Sequence, residues 1–183
     1  MKKIAIFLIL ATAAVLIFYY FSHNNDFKTT EITACPVSVK TVTVNGLSMY
    51  PFFESGEEVK ALYDYYDCKD VLRNDVVLYK YSGNNNLLIK FIKAVPGDKW
   101  GLKKTNNGYE IVVNDITLLN SEAKPYLMSE SSVKMLELYI KDYPVIPADA
   151  YLLLGDKTDG SLDSTSFGLV GKKDIMAKVE VTK

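Results

Sequence analysis

Asp75-Val76-Val77-Leu78-Tyr79-Lys80-Tyr81 and Leu87-Leu88-Ile89-Lys90-Phe91-Ile92-Lys93-Ala94-Val95, joined by Ser82-Gly83-Asn84-Asn85-Asn86, are the stretch that decides the fold. Both flanks are aliphatic and aromatic runs of strand length, and the Gly/Asn cluster between them is turn chemistry. The reading is a β-hairpin, and hence an antiparallel sheet. The second strand carries a lysine in apolar company. Strand alternation puts Leu88 and Ile92 on the face of Lys90, while Ile89 and Phe91 flank it. Two readings stand for that lysine. It either points to solvent from a sheet edge, or sits in an apolar setting that lowers its pKa by up to about 3–5 units.

Upstream, Val37 to Val44 alternates and is rich in β-branched residues, which predicts another strand. It runs into Asn45-Gly46-Leu47-Ser48-Met49-Tyr50-Pro51, where strand gives way to turn. Glu54 to Asp70 is charged and tyrosine-rich, and predicts a strand or two with a loop. Downstream of Pro96-Gly97-Asp98, Gly108 separates two short strand-like runs, the second being Tyr109 to Val113. Ser132 is placed to cap a helix over Val133 to Lys141, with Val133, Leu136 and Ile140 on one face and Pro144 past its end. Tyr151 to Leu154 predicts a buried strand leading into Gly155-Asp156, and Lys178 to Val181 a last short strand. The fold class expected is mainly β: an antiparallel domain with minor helix.

Lys2-Lys3 precede an apolar run from Ile4 to Phe21. As a helix it extends roughly 27 Å, close to the about 30 Å of a bilayer core. A cleaved secretory signal is the alternative, with Ala11-Thr12-Ala13 as small residues, but the run continues apolar and aromatic beyond them. The expectation is therefore a single-pass signal-anchor over residues 1–22, a linker over 23–36, and an extracytoplasmic domain over 37–183. The lysines keep the N-terminus cytoplasmic and place the domain on the outer face of the cell membrane. Cys35 and Cys68 both fall on that side, where oxidation is permitted. A disulfide and two buried thiols are both open.

A net charge of −1 gives no basic face for nucleic acid. The single histidine, His23, stands next to the apolar run, so a Ser-His-Asp triad in the folded domain is not expected. One histidine and two cysteines also leave no metal site, and no cofactor is expected. A hydrolase here must find its base elsewhere. A serine hydroxyl is a poor nucleophile until a base takes its proton, and a lysine in an apolar strand can be that base. Ser48 and Lys90 are the candidate pair. Gly46 permits close backbone approach, and the turn it opens can aim amides at an oxyanion. The Gly155 to Ser164 loop offers Asp156, Ser161 and Asp163 to position lysine and turn, or is a simple Gly/Asp turn.

These segments come in a fixed order: Gly46-Leu47-Ser48-Met49-Tyr50-Pro51, then Arg73-Asn74-Asp75-Val76-Val77, then Lys90 before Pro96-Gly97-Asp98. Gly155-Asp156, Ser161-Leu162-Asp163-Ser164 and Phe167-Gly168 follow. Together they resemble the boxes of type I signal peptidases, membrane-anchored serine proteases with a Ser-Lys dyad, from about Val42 to Val170. The resemblance implies Ser48 as nucleophile, Lys90 as base, Ser161 orienting the amine, and Asp163 in support. It implies removal of signal peptides with Ala-x-Ala-like ends from exported preproteins, at a lipid surface. Some positions depart from the pattern. Phe91 stands where arginine usually follows the lysine, and Thr165 where an arginine pairs with the aspartate. Lys157 and Gly160 replace asparagines, and Gly46 brings no hydroxyl to the oxyanion. A specialised relative that matures pilin subunits in conjugation fits these departures. Two further alternatives are an inactive membrane-anchored β module that binds exported peptides and a self-cleaving regulator with the same catalytic core.

Overall fold

The computed structural model describes residues 35–83 and 86–181. The expected signal-anchor and most of the linker lie outside them. Among the described residues no helix is long and apolar enough to cross a membrane. The expected hairpin is present. Strand β3 (Val76–Lys80) pairs antiparallel with β4 (Leu87–Ala94), Val77 opposite Lys90. Around it lie β1 (Ser38–Thr43), β2 (Glu58–Tyr63), β9 (Ala150–Leu154), β10 (Val170–Gly171) and β11 (Ile175–Val179). They form a seven-stranded sheet in the order β1-β2-β11-β3-β4-β9-β10. A second sheet holds β5 (Trp100–Thr105), β6 (Gly108–Val113) and β7 (Ile116–Thr117), with β8 (Leu127–Met128) paired to β6. Every pairing is antiparallel.

The large sheet buries both faces. On one, Val44, Met49, Phe53, Leu78 and Ile89 gather into a core; on the other, Val77, Tyr79, Ile92 and Leu153 do. Strand β1 and the start of β4 are well separated in strand order, yet Val42 and Leu88 line one cleft of about 580 Å³ with Ser48. The sheet therefore curls. The small sheet packs its own core with Leu136 of helix α1 (Lys134–Asp142) and Leu152 of β9. That helix begins after Val133, and Ser132 is not its cap. Ser132 donates its backbone N–H to Ser129 Oγ instead, one turn earlier than expected. The last strand, expected from Lys178, begins at Ile175; its burial alternates, but apolar Met176 stands on the exposed side and hides the alternation in the sequence. Cys35 and Cys68 are joined in a disulfide, with Cα atoms 6.0 Å apart.

Candidate active site

Ser48 lies beyond β1, in a turn opened by Gly46 at φ +81°. No atom lies within 4 Å of where a Cβ on Gly46 would stand, so left-handed backbone, not crowding, calls for glycine there. The turn is held from within by Tyr50 N–H to Leu47 O (3.1 Å) and Phe53 N–H to Met49 O (2.8 Å). Met49 is buried in the core behind it. Lys90 rises from β4 to meet the turn, with Nζ 2.7 Å from Ser48 Oγ and 2.9 Å from Ile89 O. It is 1% exposed, which excludes an edge lysine pointing to water. Burial lowers its pKa from 10.5 to about 8, with the negative charge of Asp163 pulling the other way.

The Gly155–Ser164 loop closes on this pair. Gly155 has no room for a side chain, because a Cβ would run into Ser48 O and Ser161 Oγ. Lys157 N–H donates to Ser48 O (3.1 Å). Ser161 Oγ is buried and has no hydrogen-bond partner among the described residues. Asp163 accepts from Gly155 N–H (2.9 Å), Thr165 N–H (3.0 Å) and Thr165 Oγ–H (2.7 Å), so it caps helix α2 (Ser164–Phe167). Thr165 thus supplies donors where the resemblance had led us to expect a missing partner. Asp156 has no exposed surface and accepts from Phe52 N–H (3.2 Å) in the Ser48 turn. Phe91, at the position of the usual arginine, packs its ring edge-on to Phe52 at 4.8 Å. An apolar contact with the Ser48 turn occupies that place.

The remaining boxes are structural. Asp98 accepts from Arg73, from Asn114 Nδ2 (2.9 Å) and from Val95 N–H (2.8 Å). Asp75 is bound by Lys178 Nζ (2.6 Å) and Tyr66 OH (3.0 Å). Sequence reasoning missed Lys93, a second buried lysine, whose Nζ donates to Leu119 O (3.1 Å) beside Asp156. The signal was there, because Lys93 sits in the same apolar run as Lys90. It also missed Asn120, Ser121 and Tyr126, which reach Gly155-Asp156 from the small sheet and carry no local pattern. No group of three or more His, Cys, Asp or Glu is gathered for a metal among the described residues.

Known proteins resemble this chain over most of its length. Signal peptidase IB of Staphylococcus aureus is 31% identical over 145 residues, covering 77% of this chain and 75% of that protein. Signal peptidase I V of Bacillus subtilis (strain 168) is 28% identical over 140 residues, covering 74% and 80%. A crystal structure of a signal peptidase I from Enterococcus faecalis V583 aligns at a TM-score of 0.40 and 17% identity, over 61% of this chain and 98% of that one. That structural likeness is too slight to bear an argument. The family profile described as "Signal peptidase, peptidase S26" matches residues 2–182, and the chain therefore belongs to the type I signal peptidase family.

Proposed function

We propose that this chain is a membrane-bound serine endopeptidase that removes signal peptides from exported preproteins with a Ser48–Lys90 dyad. The observation that carries the reading is the 2.7 Å contact between Lys90 Nζ and Ser48 Oγ inside an apolar site. With its pKa at about 8, roughly a tenth of the Lys90 amine is neutral at pH 7, against about three in ten thousand for an ordinary lysine. The neutral amine accepts the Ser48 proton as Oγ attacks the carbonyl of the scissile bond. The same nitrogen then delivers that proton to the leaving amine, and later activates the water that frees the acyl group. Backbone amides of the Ser48 turn, chiefly that of Ser48, hold the oxyanion. A neutral amine has one N–H for Ile89 O and a second to spare. Ser161 Oγ, buried and unpaired, is assigned as its acceptor, and Asp163 holds the loop that carries Ser161.

The substrate binds as an added strand. Among the described residues β1 pairs only with β2, and β4 meets β9 only from Phe91 onward, so two stretches without a strand partner there border the cleft beside Ser48. Val44, Leu78 and Ile89 line that cleft and suit small apolar residues at the cleavage point. Residues 1–22 anchor the protein once through the cell membrane, 23–36 link, and 37–183 act on the outer face. The test is cleavage of a preprotein with an Ala-x-Ala signal by the detergent-solubilised full chain. Cleavage after the last alanine, lost in Ser48→Ala, is expected. Binding of the preprotein without cleavage by the wild type would favour a peptide-binding module instead.

A further inference from the structure

A carboxylate taken fully out of water needs donors on both oxygens. Asp156 obtains three. Oδ1 accepts from Ser121 N–H (2.8 Å), and Oδ2 accepts from Ser121 Oγ–H (2.5 Å) and from Phe52 N–H (3.2 Å). Two donors thus come from one residue of a small-sheet loop, and the third from the turn that carries Ser48. The loop is built for the task. Asn120 Oδ1 folds it by accepting from Glu122 N–H (3.0 Å) and Lys124 N–H (2.9 Å), while Nδ2 donates to Asp156 O (3.1 Å). Lys93 Nζ takes the carbonyl of Leu119 at 3.1 Å, lying 4.6 Å from the Phe91 ring centroid. The Leu119–Ser121 backbone therefore spans two buried charges, giving its carbonyl end to the ammonium and its amide end to the carboxylate.

From this geometry we propose that Ser121 is a positioning residue of the active site. Through Asp156 it fixes the Ser48 turn, while Lys93 ties the same loop to the strand that carries Lys90. The inference rests on the Ser48–Lys90 reading. It makes the small sheet a brace between nucleophile and base, since β4 and the Ser48 turn are cross-linked through a loop belonging to neither. Loss of the Ser121 hydroxyl leaves Asp156 Oδ2 with the Phe52 amide alone, and the carboxylate that steadies the turn keeps only the Ser121 amide from the small-sheet loop. A drift of about 1 Å in a reacting group costs up to about a hundredfold in rate.

Ser121 is an exposed loop residue, so its hydroxyl can be removed without opening the core. Kinetics of preprotein cleavage by the full chain compare wild type with Ser121→Ala, Ser121→Thr, Ser121→Val and Ser48→Ala. Thr keeps the hydroxyl, and Val copies its shape without it. The expected result is a kcat lower by about 10- to 100-fold in Ala and Val, with KM within about twofold. Thr should return to within about threefold of wild type. Should Ala fold poorly, the Thr/Val pair decides. Wild-type kcat in Ala or Val, or a loss in Thr equal to that in Val, overturns the positioning role. Activity retained by Ser48→Ala overturns the serine reading beneath it, whereas a dead Ser48→Ala beside a fully active Ser121→Ala overturns the brace alone.

Discussion

Lys90 is placed where an ammonium is costly, and that cost has a sign. Its pKa falls from 10.5 in the unfolded chain to about 8 in the folded one. Between those values the unfolded chain holds a proton that the folded chain has released, so stability rises with pH across that window. Below pH 8 the full penalty, on the order of 3 kcal/mol, is present. Lys90→Met should therefore abolish cleavage yet melt higher than wild type at pH 7, with the gap closing as pH rises toward 10.5. Thermal melts at a series of pH values check this. Asp163 holds the Lys90 pKa up, so Asp163→Asn should move the pH midpoint of kcat/KM downward in whatever activity remains. Lys90 was legible because its neighbours in sequence are apolar. That test fits Lys93 equally well, and only their partners separate them: Ser48 for one, Leu119 O for the other. Partners 26 or 42 residues away leave no mark on local sequence.

Among elements, the turns and loops decide the chemistry. Gly155 ends β9 where the Ser48 carbonyl and Ser161 crowd over it. Gly155→Ala should displace the Ser48 turn and reduce kcat by at least about tenfold, a loss that steady-state cleavage kinetics will read. Thr165 completes the cap of α2, and Thr165→Val should cost about 1 kcal/mol in a denaturant titration, because Asp163 Oδ1 keeps only the backbone donor. β1 was legible by alternation and β-branching, and β3 and β4 as aliphatic and aromatic runs joined by a Gly/Asn turn. Two-residue strands such as β7, β8 and β10 are too short for any period to register. The loop from Leu119 to Ser121 was invisible for another reason, since its role depends on a carboxylate 35 residues further along the chain.

At the scale of the molecule, the order β1-β2-β11-β3-β4 and the curl of the sheet bring the end of one strand onto the start of another. The hairpin announced an antiparallel sheet, but neither the curl nor the division into two sheets follows from local patterns. The Cys35–Cys68 bridge closes a loop with a sequence separation of 33 at the edge of this fold. On the chain-entropy model it contributes about 3–4 kcal/mol, so reduction should lower Tm by about 10 °C in a melt with and without reductant. What the proposed dyad asks of the whole arrangement is a lysine that is neutral often enough to serve as base for Ser48. The most direct measurement of that claim is kcat/KM for preprotein cleavage from pH 6 to 10, in wild type and in Lys90→Met. The account predicts a wild-type rate that climbs about tenfold per pH unit and levels near pH 8, with Lys90→Met at background throughout. A flat wild-type profile, or turnover surviving in Lys90→Met, would contradict it.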